Sequence, residues 1–208
     1  MLEAIGVTIA YPSCAPVLAG HSLQVQPGER LGLSGPSGCG KTTLGLVLAG
    51  YLKPQRGQVL VDGKPLPARG HCPVQLVPQH PELAVNPRWK LRDILAESRP
   101  EDCLATAFGV DPGWLDRYPV ELSGGELQRV VLTRALAAGT RYLVCDEISA
   151  MLDPLTQARL WRALIEEAER RSVGLLVISH DPALLQAVCH RVIPFGDLAC
   201  ALDAPPSP

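Results

Sequence analysis

The sequence contains no apolar stretch long enough to cross a membrane. A membrane-spanning helix needs about 18 or more consecutive apolar residues, and charged residues, glycines or prolines interrupt every apolar run well before that length. The first residues, from Met1 to Ala4, also lack the basic region and the apolar block of a signal peptide. We therefore expect a cytoplasmic chain without a membrane-spanning helix of its own.

The chain also lacks a basic surplus and paired cysteines. Its 19 lysines and arginines and 21 acidic residues give a formal charge of −2, so the chain has no surplus of positive charge for binding nucleic acid. The seven cysteines are scattered and form no C-x-x-C pair, which argues against a disulfide framework or a zinc site. A length of 208 residues, of which 47% are hydrophobic, suits one globular domain with a sizeable core.

The residues from Gly35 to Thr42 match a complete phosphate-binding loop, G-x-x-x-x-G-K-[ST]. A strand-like stretch precedes the motif and a helix-like stretch follows it, which is the context that the motif requires; a glycine-rich turn that merely caps a helix is the simpler alternative. Glycines let backbone N–H groups wrap a phosphate chain, Lys41 would reach the β- and γ-phosphates, and the Thr42 hydroxyl would ligate Mg²⁺. The predicted nucleotide-binding residues are Gly35, Pro36, Ser37, Gly38, Cys39, Gly40, Lys41, Thr42 and Thr43.

Apolar strand-like segments alternate with helical segments along the chain, which predicts an α/β fold with a mainly parallel sheet flanked by helices. Between residues 81 and 122 the pattern changes to short helical stretches broken by prolines, which indicates an inserted helical subdomain. We therefore expect a single domain over 1–203, with its core in 1–80 and 123–203, followed by a frayed tail at 204–208.

Three element boundaries can be predicted from periodicity and breakers. We expect a helix from Thr42 to about Leu52, which Pro54 would stop, and an amphipathic helix from Ser123 to about Ala138. The last predicted element is a strand or hairpin over 191–202.

Polar residues that could act on a bound nucleotide follow two of the buried strands. Function in such a sheet belongs at the carboxyl ends of the strands, where the phosphate loop also lies. Asp146 would hold Mg²⁺ through water opposite Thr42. Glu147 would polarise the attacking water as a general base, and His180 would contact the γ-phosphate or order that water. The alternatives are two acidic turn residues and a structural histidine.

Residues 122–129 read L-S-G-G-E-L-Q-R and resemble the signature motif of ABC-type ATPases, and the resemblance extends over essentially the whole chain. It implies the P-loop ABC ATPase fold, with an antiparallel β portion near the N-terminus, and ATP and Mg²⁺ as the bound groups. The resemblance implies that the signature residues act on the nucleotide of a second subunit; they are Ser123, Gly124, Gly125 and Glu126. It also implies that Asp153 is the D-loop aspartate, that Gln79 is the glutamine that reaches Mg²⁺, and that His180 is the switch histidine. Tyr11 would be the aromatic residue that stacks on adenine, and a strand-end tyrosine is the alternative.

The same resemblance implies partners. In that family two such domains pair head to tail with two ATP molecules between them, so a second ABC ATPase subunit, identical or paralogous, is expected. Transmembrane permease subunits would bind the pair, and an extracytoplasmic solute-binding protein would act through them. The chain would then lie at the cytoplasmic face of the membrane, held there by the permease, with no nucleic-acid partner.

Finer features resemble one branch of the family, the dipeptide, oligopeptide and nickel importers. They are Asn86-Pro87-Arg88-Trp89 and the stretch from Arg117 to Glu121 that precedes the signature. The sequence departs from the family at 148–151, where Ile-Ser-Ala-Met replaces the usual Pro-Thr-Ser-Ala. The expected function is an ATPase subunit that couples hydrolysis to uptake of peptides or nickel complexes. A non-transport ABC-type ATPase and a regulatory nucleotide sensor are the alternatives, and the sensor would apply if the altered segment disables hydrolysis.

Overall fold

A computed structural model describes residues 1–10, 16–98 and 100–198 of the chain. The strands are β1 (Leu2–Ile9), β2 (Leu18–Val25), β3 (Arg30–Ser34), β4 (Arg56–Val61), β5 (Lys64–Pro65), β6 (Val74–Val77), β7 (Tyr142–Asp146), β8 (Gly174–Ile178) and β9 (Arg191–Pro194). The helices are α1 (Lys41–Leu48), α2 (Leu91–Ser98), α3 (Asp102–Ala107), α4 (Gly124–Ala135), α5 (Pro154–Arg171) and α6 (Pro182–Val188), with 3-10 turns at Pro81–Ala84, Pro112–Trp114, Pro119–Glu121 and Phe195–Asp197.

The larger sheet is parallel and lies at the centre of the fold. Its strand order is β6-β7-β8-β3-β9, and every neighbouring pair runs parallel. Strands β7 and β8 are buried at all their positions because helices cover both faces of the sheet. Successive side chains of β7 alternate between the faces: Val144 packs in the core that includes α1, whereas Leu143 and Cys145 pack in the core formed with α4 and α5.

The smaller sheet is antiparallel, with the order β2-β1-β4-β5. Its apolar residues, Leu2 and Val25 among them, join the same core as Leu44 and Leu48 of α1, so this sheet packs over the helix that follows the phosphate loop. The two sheets and their helices confirm the predicted α/β fold class, with its antiparallel portion near the N-terminus. No helix within the described ranges combines the length and the apolar character that a membrane span requires.

Residues 81–122 form short helices and turns with a small core of their own. Leu91, Ile94 and Leu95 of α2 pack against Leu127 and Val130 in the first half of α4. The second half of α4 packs instead on the parallel sheet and α5. Helix α4 therefore connects the inserted segment to the sheet, and the domain limits given above stay predictions.

Three boundaries differ from the sequence-based expectations. Helix α1 ends at Leu48 rather than near Leu52, because Gly50 turns left-handed (φ 78°) and the N–H groups of Tyr51 and Leu52 fold back onto the carbonyl of Leu46. Helix α4 ends at Ala135, three residues before the expected position.

The last strand is also shorter than expected. Strand β9 stops at Pro194 and a 3-10 turn at Phe195–Asp197 follows it, so the expected strand or hairpin over 191–202 is wrong at that turn. Residues 199–208, which include the tail expected to be frayed, lie outside the described residues.

Alanine at Gly57 should destabilise the protein far more than alanine at Gly63. Both glycines have left-handed backbones (φ 80° and 72°), which costs a side-chain-bearing residue about 1–2 kcal/mol. A Cβ on Gly57 would also collide with the carbonyl oxygens of Ile5 and Gly6, where β1 bulges against β4, whereas a Cβ on Gly63 would meet no atom within 4 Å.

We expect Gly57→Ala to lower the free energy of unfolding by about 3 kcal/mol or more and Gly63→Ala by about 1 kcal/mol. Urea unfolding of the two variants measures the difference. Equal losses would mean that the backbone contact between β1 and β4 contributes nothing beyond the left-handed conformation.

Candidate active site

The predicted site residues follow strands that end at one edge of the parallel sheet. Asp146 at the end of β7 pairs with Ile178 at the end of β8, and Ile178 pairs on its other side with Leu33 of β3. The N–H of Glu147 donates to the Ile178 carbonyl at 3.0 Å, which continues this register past the strand. The phosphate loop, the two acids and His180 are therefore neighbours.

The phosphate loop has the backbone that its glycines permit. Gly38 and Gly40 have φ values of 80° and 115°, a region that other residues rarely adopt. A Cβ on Gly38 would meet no atom within 4 Å, so this side of the loop is open. A Cβ on Gly40 would lie 3.0 Å from both the Val17 carbonyl oxygen and Cζ of Phe195, so the inner side is closed. The backbone of the loop is therefore open on one side and packed against Val17 and Phe195 on the other.

Lys41 begins α1 and is buried, but its ammonium group stays within the loop. Its Nζ donates hydrogen bonds to the carbonyl oxygens of Gly35 at 2.7 Å and Pro36 at 2.8 Å. Phosphate oxygens are stronger acceptors for an ammonium group than neutral carbonyls are. A triphosphate in the loop would therefore compete well for this side chain.

Asp146 is only 5% exposed, and its Oδ1 atom has no hydrogen-bond partner among the described residues. Burial raises the pKa of Asp146 and the charge of Glu147 adds to that shift, whereas a hydrogen bond with Thr42 and the charge of Lys41 oppose it. An unpartnered carboxylate oxygen beside a hydroxyl group is a donor set that suits Mg²⁺, which takes oxygen ligands and keeps several waters. The residues present therefore fit the cation that the sequence predicts.

Glu147 and His180, the two residues predicted to be catalytic, are hydrogen-bonded to each other. Oε1 of Glu147 lies 2.8 Å from Nδ1 of His180 and accepts the His180 backbone N–H at 2.8 Å. An ionised carboxylate only accepts, so Nδ1 carries the proton of this contact. Glu147 has a left-handed backbone (φ 51°), which costs about 1–2 kcal/mol and aims its side chain at the neighbouring strand end. The His180 ring remains 65% exposed, open to a ligand.

The predicted signature residues form the start of α4. Ser123 caps the helix, and Glu126 returns the contact: its Oε2 accepts from the N–H and the hydroxyl of Ser123, both at 2.8 Å. These bonds lower the pKa of Glu126. A Cβ on Gly125 would lie 3.0 Å from Cδ2 of Leu152, so the signature touches the loop that follows Glu147. The action of these residues on the nucleotide of another subunit stays a prediction.

Three further predicted site residues are Asp153, Gln79 and Tyr11. Asp153 caps α5, accepting the N–H groups of Leu155 at 3.1 Å and Thr156 at 3.0 Å, and these contacts, chiefly with Thr156, lower the pKa of Asp153. Gln79 is exposed two residues after β6, the strand beside β7, so it lies at the same sheet edge. Tyr11 lies outside the described residues. The roles of all three remain predictions.

The sequence did not identify Phe195, which forms the base of the phosphate loop. Its ring lies under Gly40, and its Cβ would be 3.1 Å from a Cβ on Gly35. The ring of His21 in β2 packs against the Phe195 ring, with the ring centroids 5.0 Å apart and the planes tilted by 30°. Expecting a strand or hairpin over 191–202 hid this contact, because the chain turns at Phe195 instead of continuing beside β3. A second missed residue is the buried Ser149, whose hydroxyl is bonded to α5.

Comparisons with known proteins agree with this geometry. A sequence profile of the ABC transporter family matches residues 18–150. A putative peptide import ATP-binding protein of Brucella abortus is 36% identical over 82% of this chain and 58% of its own length. A nickel import system ATP-binding protein of Staphylococcus aureus is 32% identical over 95% of this chain and 87% of its own length. The chain thus spans between 51% and 58% of the length of the first peptide-import relatives.

Solved structures support the fold. An ATP-binding subunit of an ABC transporter superposes with a TM-score of 0.80 and 24% identity, covering 93% of this chain and 85% of the other. A post-hydrolysis dimer of an ATP-binding cassette bound to ADP and Pi superposes with a TM-score of 0.79 and 22% identity, covering 93% and 94%. At these identities the likeness confirms the fold class alone.

Asparagine at Asp146 should stabilise the ligand-free protein and weaken its response to Mg²⁺. The substitution removes the charge from a buried carboxylate, which we expect to raise the free energy of unfolding by about 1 kcal/mol in the absence of metal and nucleotide. With ATP and Mg²⁺ present, the wild-type protein should gain the larger stabilisation because its carboxylate helps to hold the cation.

Thermal unfolding with ATP plus Mg²⁺ and with ATP plus a chelator measures both effects. Asp116→Asn is the control, since this aspartate is exposed and paired only at the surface with Arg92 and Lys90. A full Mg²⁺-dependent shift in Asp146→Asn would contradict the assignment of Asp146 to the cation.

Proposed function

This chain belongs to the ABC transporter family, and from that membership we propose that it is the ATP-binding and ATP-hydrolysing subunit of an importer of peptides or nickel complexes. The observation that carries the proposal is the meeting of the phosphate loop, Asp146 and the Glu147–His180 pair at one sheet edge. Each of these groups has a distinct role in hydrolysing a nucleoside triphosphate.

Binding is the task of the loop and the start of α1. The backbone N–H groups of the loop, the helix N-terminus and Lys41 cradle the phosphates. Thr42 and Asp146 would hold Mg²⁺, together with Gln79 from the end of the neighbouring strand. When bound, the cation neutralises charge that develops on the phosphate oxygens.

Hydrolysis is the task of Glu147, supported by His180. A water oxygen attacks the γ-phosphorus, the bond to the ADP oxygen breaks, and Glu147 orients the water and accepts its proton. The hydrogen bond from Nδ1 fixes the carboxylate in place, and the exposed ring of His180 would contact the terminal phosphate. The Glu147–His180 pairing favours turnover over the nucleotide-sensor alternative.

A second ATPase subunit would complete the site. Ser123 and the N–H groups of Gly124 and Gly125 open a helix, which is an anion site for a terminal phosphate. Glu126 adds a negative charge there, so the site depends on backbone donors and the serine hydroxyl rather than on net positive charge. In a head-to-tail pair this site would face the phosphate loop of the other subunit, identical or paralogous.

The inserted segment would bind the permease. It exposes large apolar side chains, with Leu83 77% and Val120 86% accessible, and Trp89 and Tyr118 lie on the same segment. Exposed apolar groups of this size are typical of protein contact surfaces. This contact would place the subunit at the cytoplasmic face of a membrane, where a solute-binding protein acts from the other side through the permease.

The cargo class rests on the relatives. Proteins named for peptide import and for nickel import are both similar to this chain, at 36% and 32% identity. We therefore propose both cargo classes, and nothing in the comparisons favours a non-transport ATPase.

ATP hydrolysis by the purified chain, measured against its own concentration, tests the proposed activity. We expect turnover to rise more steeply than linearly with concentration if the chain pairs with itself. Glu147→Gln should lower kcat at least about a hundredfold while retaining ATP, because it removes the general base. Lys41→Ala should lose ATP binding as well.

Glu166→Gln is the matched control, since Glu166 is exposed on α5 and, among the described residues, pairs with Arg162 alone. Turnover in Glu147→Gln equal to that of the control would contradict the assigned base. ATP binding without turnover at any concentration of the wild-type chain would indicate that a paralogous subunit or the permease is required.

A further inference from the structure

Ser149 lies in the loop between β7 and α5 and is 3% exposed. Its hydroxyl oxygen accepts two hydrogen bonds from α5, one from Nε2 of Gln157 and one from Nε1 of Trp161, both at 2.9 Å. The Trp161 indole is itself buried. A side chain that receives two donors from successive turns of a helix fixes the middle of this loop to that helix.

The loop is also attached at both ends. It begins at Glu147, whose N–H donates to the Ile178 carbonyl at 3.0 Å, and it ends at Asp153, which caps α5. The Leu152 N–H donates to the Ser149 carbonyl at 3.1 Å. Ser149 is therefore the only residue between these ends that the described structure bonds through its side chain to α5.

A cavity of about 150 Å³ lies against this loop. Glu147, His180 and Asp181 line it together with Ser149 and Trp161. Ile148 and Leu152 pack the loop against the core with α4 and α5, but the cavity leaves it without close packing on this side. If the two bonds to Ser149 were lost, the loop would have room to move, and the Glu147 carboxylate two residues away would move with it.

We propose that Ser149 is a positioning residue that holds Glu147 in its hydrogen bond with His180, acting through Gln157 and Trp161. The proposal rests on the proposed role of Glu147 as the general base. Ser149 is not among the residues assigned to ATP or Mg²⁺. The phosphate loop belongs to β3 and α1, so loss of the Ser149 bonds should change the rate of hydrolysis and leave ATP binding intact.

Ser149→Ala removes the acceptor and tests the proposal in the full chain. We expect kcat to fall at least fivefold, with the KM and the dissociation constant for ATP changed less than twofold. Ser149→Thr keeps the hydroxyl, and the cavity has room for its added methyl group, so kcat should return to within twofold of wild type. Gln157→Met, which removes one donor, should cause a smaller fall in kcat. This variant replaces Ser149→Ala as the test if Ser149→Ala folds poorly.

Ser22→Ala is the matched control. The Ser22 hydroxyl accepts a hydrogen bond from the N–H of Gly6 at 3.0 Å. Both residues belong to the antiparallel sheet, whereas the loop between β7 and α5 belongs to the parallel sheet. This variant loses the same kind of bond, so we expect an unchanged kcat. A fall in kcat equal to that of Ser149→Ala would overturn the proposal, as would a kcat of wild-type size in Ser149→Ala.

A second measurement reports the position of Glu147 without turnover. In protein labelled with ¹⁵N at histidine, the ring signals of His180, assigned with His180→Gln, report its hydrogen bond to Glu147. These signals should shift in Ser149→Ala, return in Ser149→Thr and stay unchanged in Ser22→Ala. Unchanged signals in Ser149→Ala would overturn the proposal. A shift in a protein that hydrolyses no ATP would support the positioning role and count against the proposed activity instead.

Discussion

The parallel register of β3, β7 and β8 is the constraint on which the site depends. Strand β3 leads into the phosphate loop, β7 ends in Asp146 and Glu147, and β8 leads to His180, so residues far apart in sequence meet at one edge. The register is firmly specified because alternate residues of β7 face different cores, so that a slip of one residue would exchange Leu143 and Val144 between them. The same slip would withdraw Asp146 from the edge where it meets Thr42.

At this edge, Lys41 and Asp146 are placed to bind a ligand and do not form an ion pair with each other. Lys41 satisfies its ammonium group on the carbonyls of its own loop, and Asp146 keeps one buried oxygen without a partner among the described residues. Buried polar groups are normally paired, and an exception in a native fold indicates a functional demand. A phosphate chain with its cation would supply an acceptor to the lysine and a positive charge to the aspartate.

Two helices connect this edge to surfaces elsewhere. The first half of α4 packs on the inserted segment and its second half on the sheet, so movement of that segment would shift the signature at the start of the helix. Helix α5 holds the loop after Glu147 through Asp153 and Ser149. Leu152 of that loop approaches Gly125 of the signature, which joins the two helices near the site. The sheet edge and the inserted segment are thus connected by packing through α4, α5 and the contact between Leu152 and Gly125.

The sequence by itself determined the phosphate loop, the order of strands and helices, and the acids at the end of β7. These are local signals: a motif of fixed spacing, an apolar period, and a polar residue after an apolar run. The site edge followed from them because parallel strands end together.

Only the tertiary structure decided what supports those residues. The hydrogen bond between Glu147 and His180, the packing of Phe195 under Gly40, and the anchoring of Ser149 on α5 involve side chains that no local pattern relates. The Glu147 and Phe195 contacts each join segments more than 30 residues apart, and the Ser149 contact depends on how a loop folds onto its helix. Their partners are fixed by how the layers pack, which the chain specifies as a whole and not at any single position.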